Sequence, residues 1–106
     1  MVHEIKDAAD FNSFVEKSTE KLLVIDFFAT WCPPCKAIAP FFAQLAETHG
    51  GKVDFIKVDV DQHGSIAQTY GVKAMPTFVY VKNKQKVGAV QGANQAGIQA
   101  ALQQHM

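Results

Sequence analysis

The chain of 106 residues is 48% hydrophobic and 19% charged, and its ten lysines balance ten acidic residues with no arginine at all. A domain of that length buries roughly 60–70% of its unfolded surface and can hold one core without staples. Zero net charge, and the lack of any bidentate guanidinium fork, argue against nucleic acid or an anionic membrane as the main partner. No run approaches the ~18 apolar residues that span a bilayer. The N-terminus, Met1-Val2-His3-Glu4-Ile5-Lys6, has neither the apolar stretch nor the small-residue cleavage site of a leader. The chain therefore reads as a single domain over residues 1–106, cytoplasmic or already trimmed, and active as a monomer.

Val2 to Lys6 is a short β-like segment, and Asp7 after it is a good helix N-cap. Phe11, Phe14 and Val15 recur at helical spacing until the pattern fades near Ser18. Leu22-Leu23-Val24-Ile25-Asp26-Phe27-Phe28 is strand-length and apolar on both faces, the mark of a central buried strand. Trp31-Cys32-Pro33-Pro34-Cys35-Lys36 opens a helix, because proline is tolerated in a first turn whose N–H groups lack partners anyway. Ile38, Phe41, Phe42, Leu45 and Ala46 form its apolar stripe, Pro40 should kink it and Gly50-Gly51 should end it. Val53 to Val60 is a second strand, and Asp61 is expected to cap a short helix ending at Tyr70-Gly71. Thr77 to Val81 and Val87 to Val90 flank a polar turn, Lys82 to Lys86, as in a hairpin. Asn94 can cap a last helix with Ile98, Ala101 and Leu102 inward. The resulting order, βαβαββα, implies an α/β fold: a central mixed sheet with helices on both faces.

A Cys-x-x-Cys pair has three uses. Zinc needs four ligands, yet there is no second pair, and His3, His49, His63 and His105 are scattered. A structural disulfide stabilises in proportion to the logarithm of the loop it closes, so a bridge over two residues is a weak staple. The redox use gains most from short spacing, because the second thiol attacks intramolecularly at high effective concentration. The location favours this third use. The carboxyl edge of an α/β sheet is where sites collect, and a helix N-terminus stabilises a thiolate. Cys32, at the helix mouth, is the expected nucleophile. Cys35, one turn inside, should be more buried and act as the resolving thiol. Asp26, in an apolar strand leading to the pair, should have a raised pKa and could take the proton of Cys35 and return it.

Trp31-Cys32-Pro33-Pro34-Cys35-Lys36, preceded by Asp26-Phe27-Phe28-Ala29 and followed by Pro40, resembles the active-site segment of the thioredoxin family. Lys57, Met75-Pro76-Thr77 and Gly92 extend the likeness over the whole chain. The resemblance implies the thioredoxin fold and no bound cofactor. Electrons would come from NADPH through a thioredoxin reductase. Clients would be protein disulfides, such as those of peroxiredoxins, ribonucleotide reductase and methionine sulfoxide reductases. It also implies that Lys57 approaches Asp26 and that the Met75–Pro76 bond is cis beside the cysteines. Trp31, Met75, Gly92 and Ala93 would then form a surface where an extended substrate adds as a strand.

The departure is Pro33-Pro34, where the common family pair is Gly-Pro. Pro-Pro is more like tryparedoxins, nucleoredoxin and some membrane-tethered bacterial thiol reductases. Pro33 removes an N–H from the Cys32 sulfur and stiffens the loop, and both effects should favour the disulfide and make a stronger reductant. Phe28, where many bacterial relatives carry tryptophan, leans toward a eukaryotic-type protein. An oxidase or isomerase on the same fold, and a redox-switched binding module without turnover, are the competing functions.

Overall fold

A computed structural model describes residues 1–106. It contains β1 (Val2–Glu4), α1 (Ala8–Lys17), β2 (Leu22–Phe28), α2 (Pro33–His49), β3 (Val53–Asp59), α3 (Gly64–Thr69), β4 (Thr77–Lys82), β5 (Gln85–Gln91) and α4 (Gln95–His105). Nine elements are present, whereas the expected order βαβαββα has seven: it matches the run from β2 to α4 and leaves out the β1–α1 pair. The sheet order is β1-β3-β2-β4-β5. β1 and β2 lie parallel to β3, whereas β4 runs antiparallel to both β2 and β5. The sheet is therefore mixed, with β2 in its centre.

Strand periodicity decides what each face of β2 buries. Leu23, Ile25 and Phe27 join one core with Phe11 of α1, Ile56 and Val58 of β3, and Ala67 of α3. Leu22 and Val24 join the other, with Ile38, Phe42 and Leu45 of α2, Phe55 of β3, Phe78 and Tyr80 of β4, and Ile98 and Leu102 of α4. Asp26 continues the Leu22–Val24 series by two residues, so it lies on the face that α2 covers. Both cores are needed because a buried central strand presents apolar side chains on both sides.

Local signals set most element ends. Asp7 caps α1 by accepting from the Asp10 N–H at 2.8 Å, and Asn94 caps α4 by accepting from the Gly97 N–H at 2.9 Å. Pro40 lies within α2, which continues unbroken to His49 with Gly50 at its C-cap. The hairpin turn is shorter than the expected Lys82–Lys86 segment. Asn83 and Lys84, both with positive φ, make a two-residue connection whose twist matches the strands. Ser18 anchors that turn: its Oγ accepts from the Lys84 N–H and its carbonyl from the Asn83 N–H, both at 2.8 Å. Asp61 does not cap α3. His63 occupies that cap without a side-chain hydrogen bond, and the Asp61 carboxylate is drawn to Trp31 instead.

Phe42 seats α2 on the sheet. Its ring meets Phe55 edge-on at 5.5 Å between centroids and Phe78 at a tilt, at 5.4 Å. Phe42→Ala should cost about 3–5 kcal/mol in urea unfolding, the range for truncating a buried aromatic. A loss below about 1 kcal/mol would show that α2 is held by something else.

Candidate functional site: a cysteine pair at the head of α2

β2 ends at Phe28, and the chain passes from the carboxyl edge of the sheet into α2 within four residues. Cys32 is the N-cap of α2, with extended backbone, and Pro33 and Pro34 take the first two helical positions. Neither proline has an N–H, so the first available donor of the helix is the Cys35 amide. It points at the Cys32 sulfur, 3.2 Å away. Cys32 and Cys35 are joined in a disulfide.

The expected difference in burial is absent. Cys32 is 3% and Cys35 5% exposed, because both sulfurs pack with Ala29 into one small apolar cluster bordered by Phe28, Val60 and Met75. The Met75 carbonyl oxygen lies 3.6 Å from the Cys32 sulfur. The Met75–Pro76 peptide bond is cis. Gly92, with φ +94°, donates its N–H to the Pro76 carbonyl at 2.8 Å and so ties the β5 end to the Met75 segment. Ala93 is exposed beside Gly92.

Trp31 is 63% exposed and is held by its indole N–H, which donates to Asp61 Oδ2 at 2.9 Å. Sequence reasoning missed this role of Asp61. The available signal was its place after β3, at the same carboxyl edge as Trp31.

Asp26 is 4% exposed, and its Oδ1 is buried without a hydrogen-bond partner. Desolvation pushes its pKa from 3.8 up to about 7, against a smaller opposing pull from the Lys57 charge. Asp26 and Lys57 are register partners across β2 and β3, and both line a cleft that also reaches Cys35. The Lys57 ammonium, however, is turned toward Glu4 Oε1 at 3.8 Å and lies 5.0 Å from the Phe28 ring centroid. Glu4 as a neighbour of Lys57 lies outside any local pattern, because it follows from the non-local pairing of β1 with β3, and Phe28 meets Lys57 from β2. No group of His, Cys, Asp and Glu side chains forms a metal site, and no helix is long and apolar enough to cross a membrane.

A thioredoxin family model matches residues 2–104. The chain belongs to the thioredoxin family. It is 47% identical to thioredoxin-1 of Schizosaccharomyces pombe over 106 residues, all of both chains. It is 54% identical to a thioredoxin of Malassezia sympodialis over 87 residues, 81% of this chain and 83% of that one. The X-ray structure of Fasciola hepatica thioredoxin superposes with a TM-score of 0.92 at 39% identity, covering 98% of this chain and 99% of that one. With the Cys32–Cys35 disulfide in place at the head of α2, the chain is a thiol–disulfide oxidoreductase.

The raised Asp26 pKa makes stability depend on pH. The folded protein holds this proton more tightly than the unfolded chain. Its contribution is fully present below about pH 3.8 and is lost as pH rises through about 7. Asp26→Asn should therefore be more stable than the parent at pH 8, by on the order of 4 kcal/mol at full linkage. The difference should shrink toward zero near pH 3.5. Urea unfolding at both pH values reads this, and an equal difference at both would contradict it.

Proposed function

We propose that the protein reduces protein disulfides, with Cys32 as nucleophile and Cys35 as resolving thiol. The Cys32 thiolate attacks one sulfur of a substrate disulfide. A Cys32–substrate bond forms, and the other substrate sulfur leaves as a thiolate and takes a proton. Cys35 passes its proton to the Asp26 carboxylate and attacks the Cys32 sulfur. The first substrate sulfur leaves, and two electrons have moved from the dithiol to the substrate as the Cys32–Cys35 bond closes. The observation that carries this reading is the placement of the Cys32 sulfur at the α2 N-cap, facing the Cys35 N–H at 3.2 Å, where an anion is stabilised.

The supporting residues take roles consistent with their positions. Asp26 exchanges the Cys35 proton, for which a pKa of about 7 is suited at neutral pH. Lys57 tunes that carboxyl from across the strand pair. Met75, beside the sulfur, offers backbone groups to an extended substrate, with Pro76, Gly92 and Ala93 shaping the same edge. Trp31 gives an apolar contact pre-positioned by Asp61. Pro33 and Pro34 stiffen the connection and withhold two N–H groups from the sulfur, which favours the disulfide form.

The dithiol is regenerated by a thioredoxin reductase using NADPH, and the protein itself carries no cofactor. It works as a single-domain monomer in the cytoplasm. Its clients are disulfide-bearing proteins such as peroxiredoxins, ribonucleotide reductase and methionine sulfoxide reductases.

Cys35→Ser should trap a mixed disulfide through Cys32 when mixed with a disulfide-bonded protein, while the parent turns over with NADPH and thioredoxin reductase. Non-reducing gels and mass spectrometry detect the adduct. Trapping through residue 35 in Cys32→Ser, with none in Cys35→Ser, would reverse the assignment.

A further inference from the structure

The cleft that Asp26 lines is larger than the passage of a proton requires. It measures about 400 Å³, within the usual range of small-molecule sites, and lies between α2 and the β2–β3–β1 side of the sheet. Its room comes from α2. Ala39 and Ala43, four residues apart and so on one helix face, line it with methyl groups where longer side chains would fill the space. Both alanines are exposed, so they border the opening rather than the packed core. Phe28, half-buried, supplies an apolar ring to the wall, with the buried Phe42 behind it. Asp26 is one of the buried residues of the lining and its only carboxyl, with Oδ1 unpartnered, and no N–H or O–H of the chain is directed at it. An acceptor in that position is costly until a donor reaches it.

The charges narrow the occupant. Lys36 and Lys57 also line the cleft, and they disfavour a cation. An anion would meet the Asp26 carboxyl and would lose its hydration among apolar walls. The combination fits an uncharged molecule with a flat apolar body and one donor.

We propose that this cleft binds a small neutral ring compound carrying a single hydroxyl or N–H group, which lies against Phe28 and the α2 alanines and donates its hydrogen bond to the Asp26 carboxyl. The site is separate from the Met75–Gly92 edge, where a protein substrate would add. An occupant stands between solvent and Asp26, so it also slows proton exchange with Cys35. That consequence rests on the role proposed for Asp26, whereas the binding does not.

Phenol and toluene, alike in shape and differing in the donor, are the probes. Titrated at pH 8.5, where Asp26 is an acceptor only, into the uniformly ¹⁵N-labelled oxidised protein, phenol should give saturable amide shifts at Phe28, Ala39 and Ala43. It should bind about tenfold more tightly than toluene, as one hydrogen bond to a buried acceptor supplies. Ala43→Phe, at an exposed helical position, should abolish both titrations. Asp26→Leu should remove the preference for phenol. Absence of saturable shifts at these residues, or equal affinity for phenol and toluene in the parent, would overturn the proposal. Because the disulfide form is used throughout, neither result depends on which cysteine is the nucleophile.

Discussion

The arrangement turns on one contact: the N–H of Cys35 directed at the sulfur of Cys32 across the first turn of α2. A helix start has unpaired donors that must meet something. Here two are deleted by proline, and the next meets sulfur rather than the usual oxygen of a Ser, Asp or Asn cap. The same turn thus ends a structural obligation of the helix and creates an electropositive seat for a thiolate. Three elements hold the turn in place. β2 delivers the chain to the sheet edge, Phe42 fixes α2 to the sheet, and the Met75 segment closes over the sulfur.

Asp26 shows what that arrangement costs. It occupies a position in β2 that periodicity assigns to the core under α2, where Leu22 and Val24 bury hydrocarbon. A leucine there would pack, whereas the carboxyl is desolvated and its pKa rises to about 7. The protein therefore keeps a destabilising group in the cleft that also reaches Cys35. The partial relief from Lys57 is limited, because the ammonium is shared with Glu4 and the Phe28 ring.

Much of this was legible in the sequence, and the reasons are local. The continuous apolar run of β2, the Asp7 and Asn94 caps and the two prolines opening α2 each depend on neighbours within a few residues. So does the isolation of Asp26 among apolar side chains. What was not legible depends on contacts between distant segments. Asp61 looked like a cap because Asp favours caps, but Trp31, thirty positions earlier, competes for its carboxylate. Cys35 was expected to be deeper than Cys32, on helix position alone. The Met75 segment, arriving from forty-three positions away, covers Cys32 as well. Glu4 reaches Lys57 only because β1 pairs with β3 at the sheet edge, which no spacing rule announces.

The most direct measurement is the rate of alkylation of each cysteine in the reduced protein as a function of pH, resolved by peptide mass spectrometry. If the α2 N-terminus stabilises the Cys32 thiolate, residue 32 reacts at pH 7 well ahead of an unstructured peptide thiol, and Cys35 lags behind it. A Cys32 rate at pH 7 no greater than that of the peptide would contradict the account at its foundation.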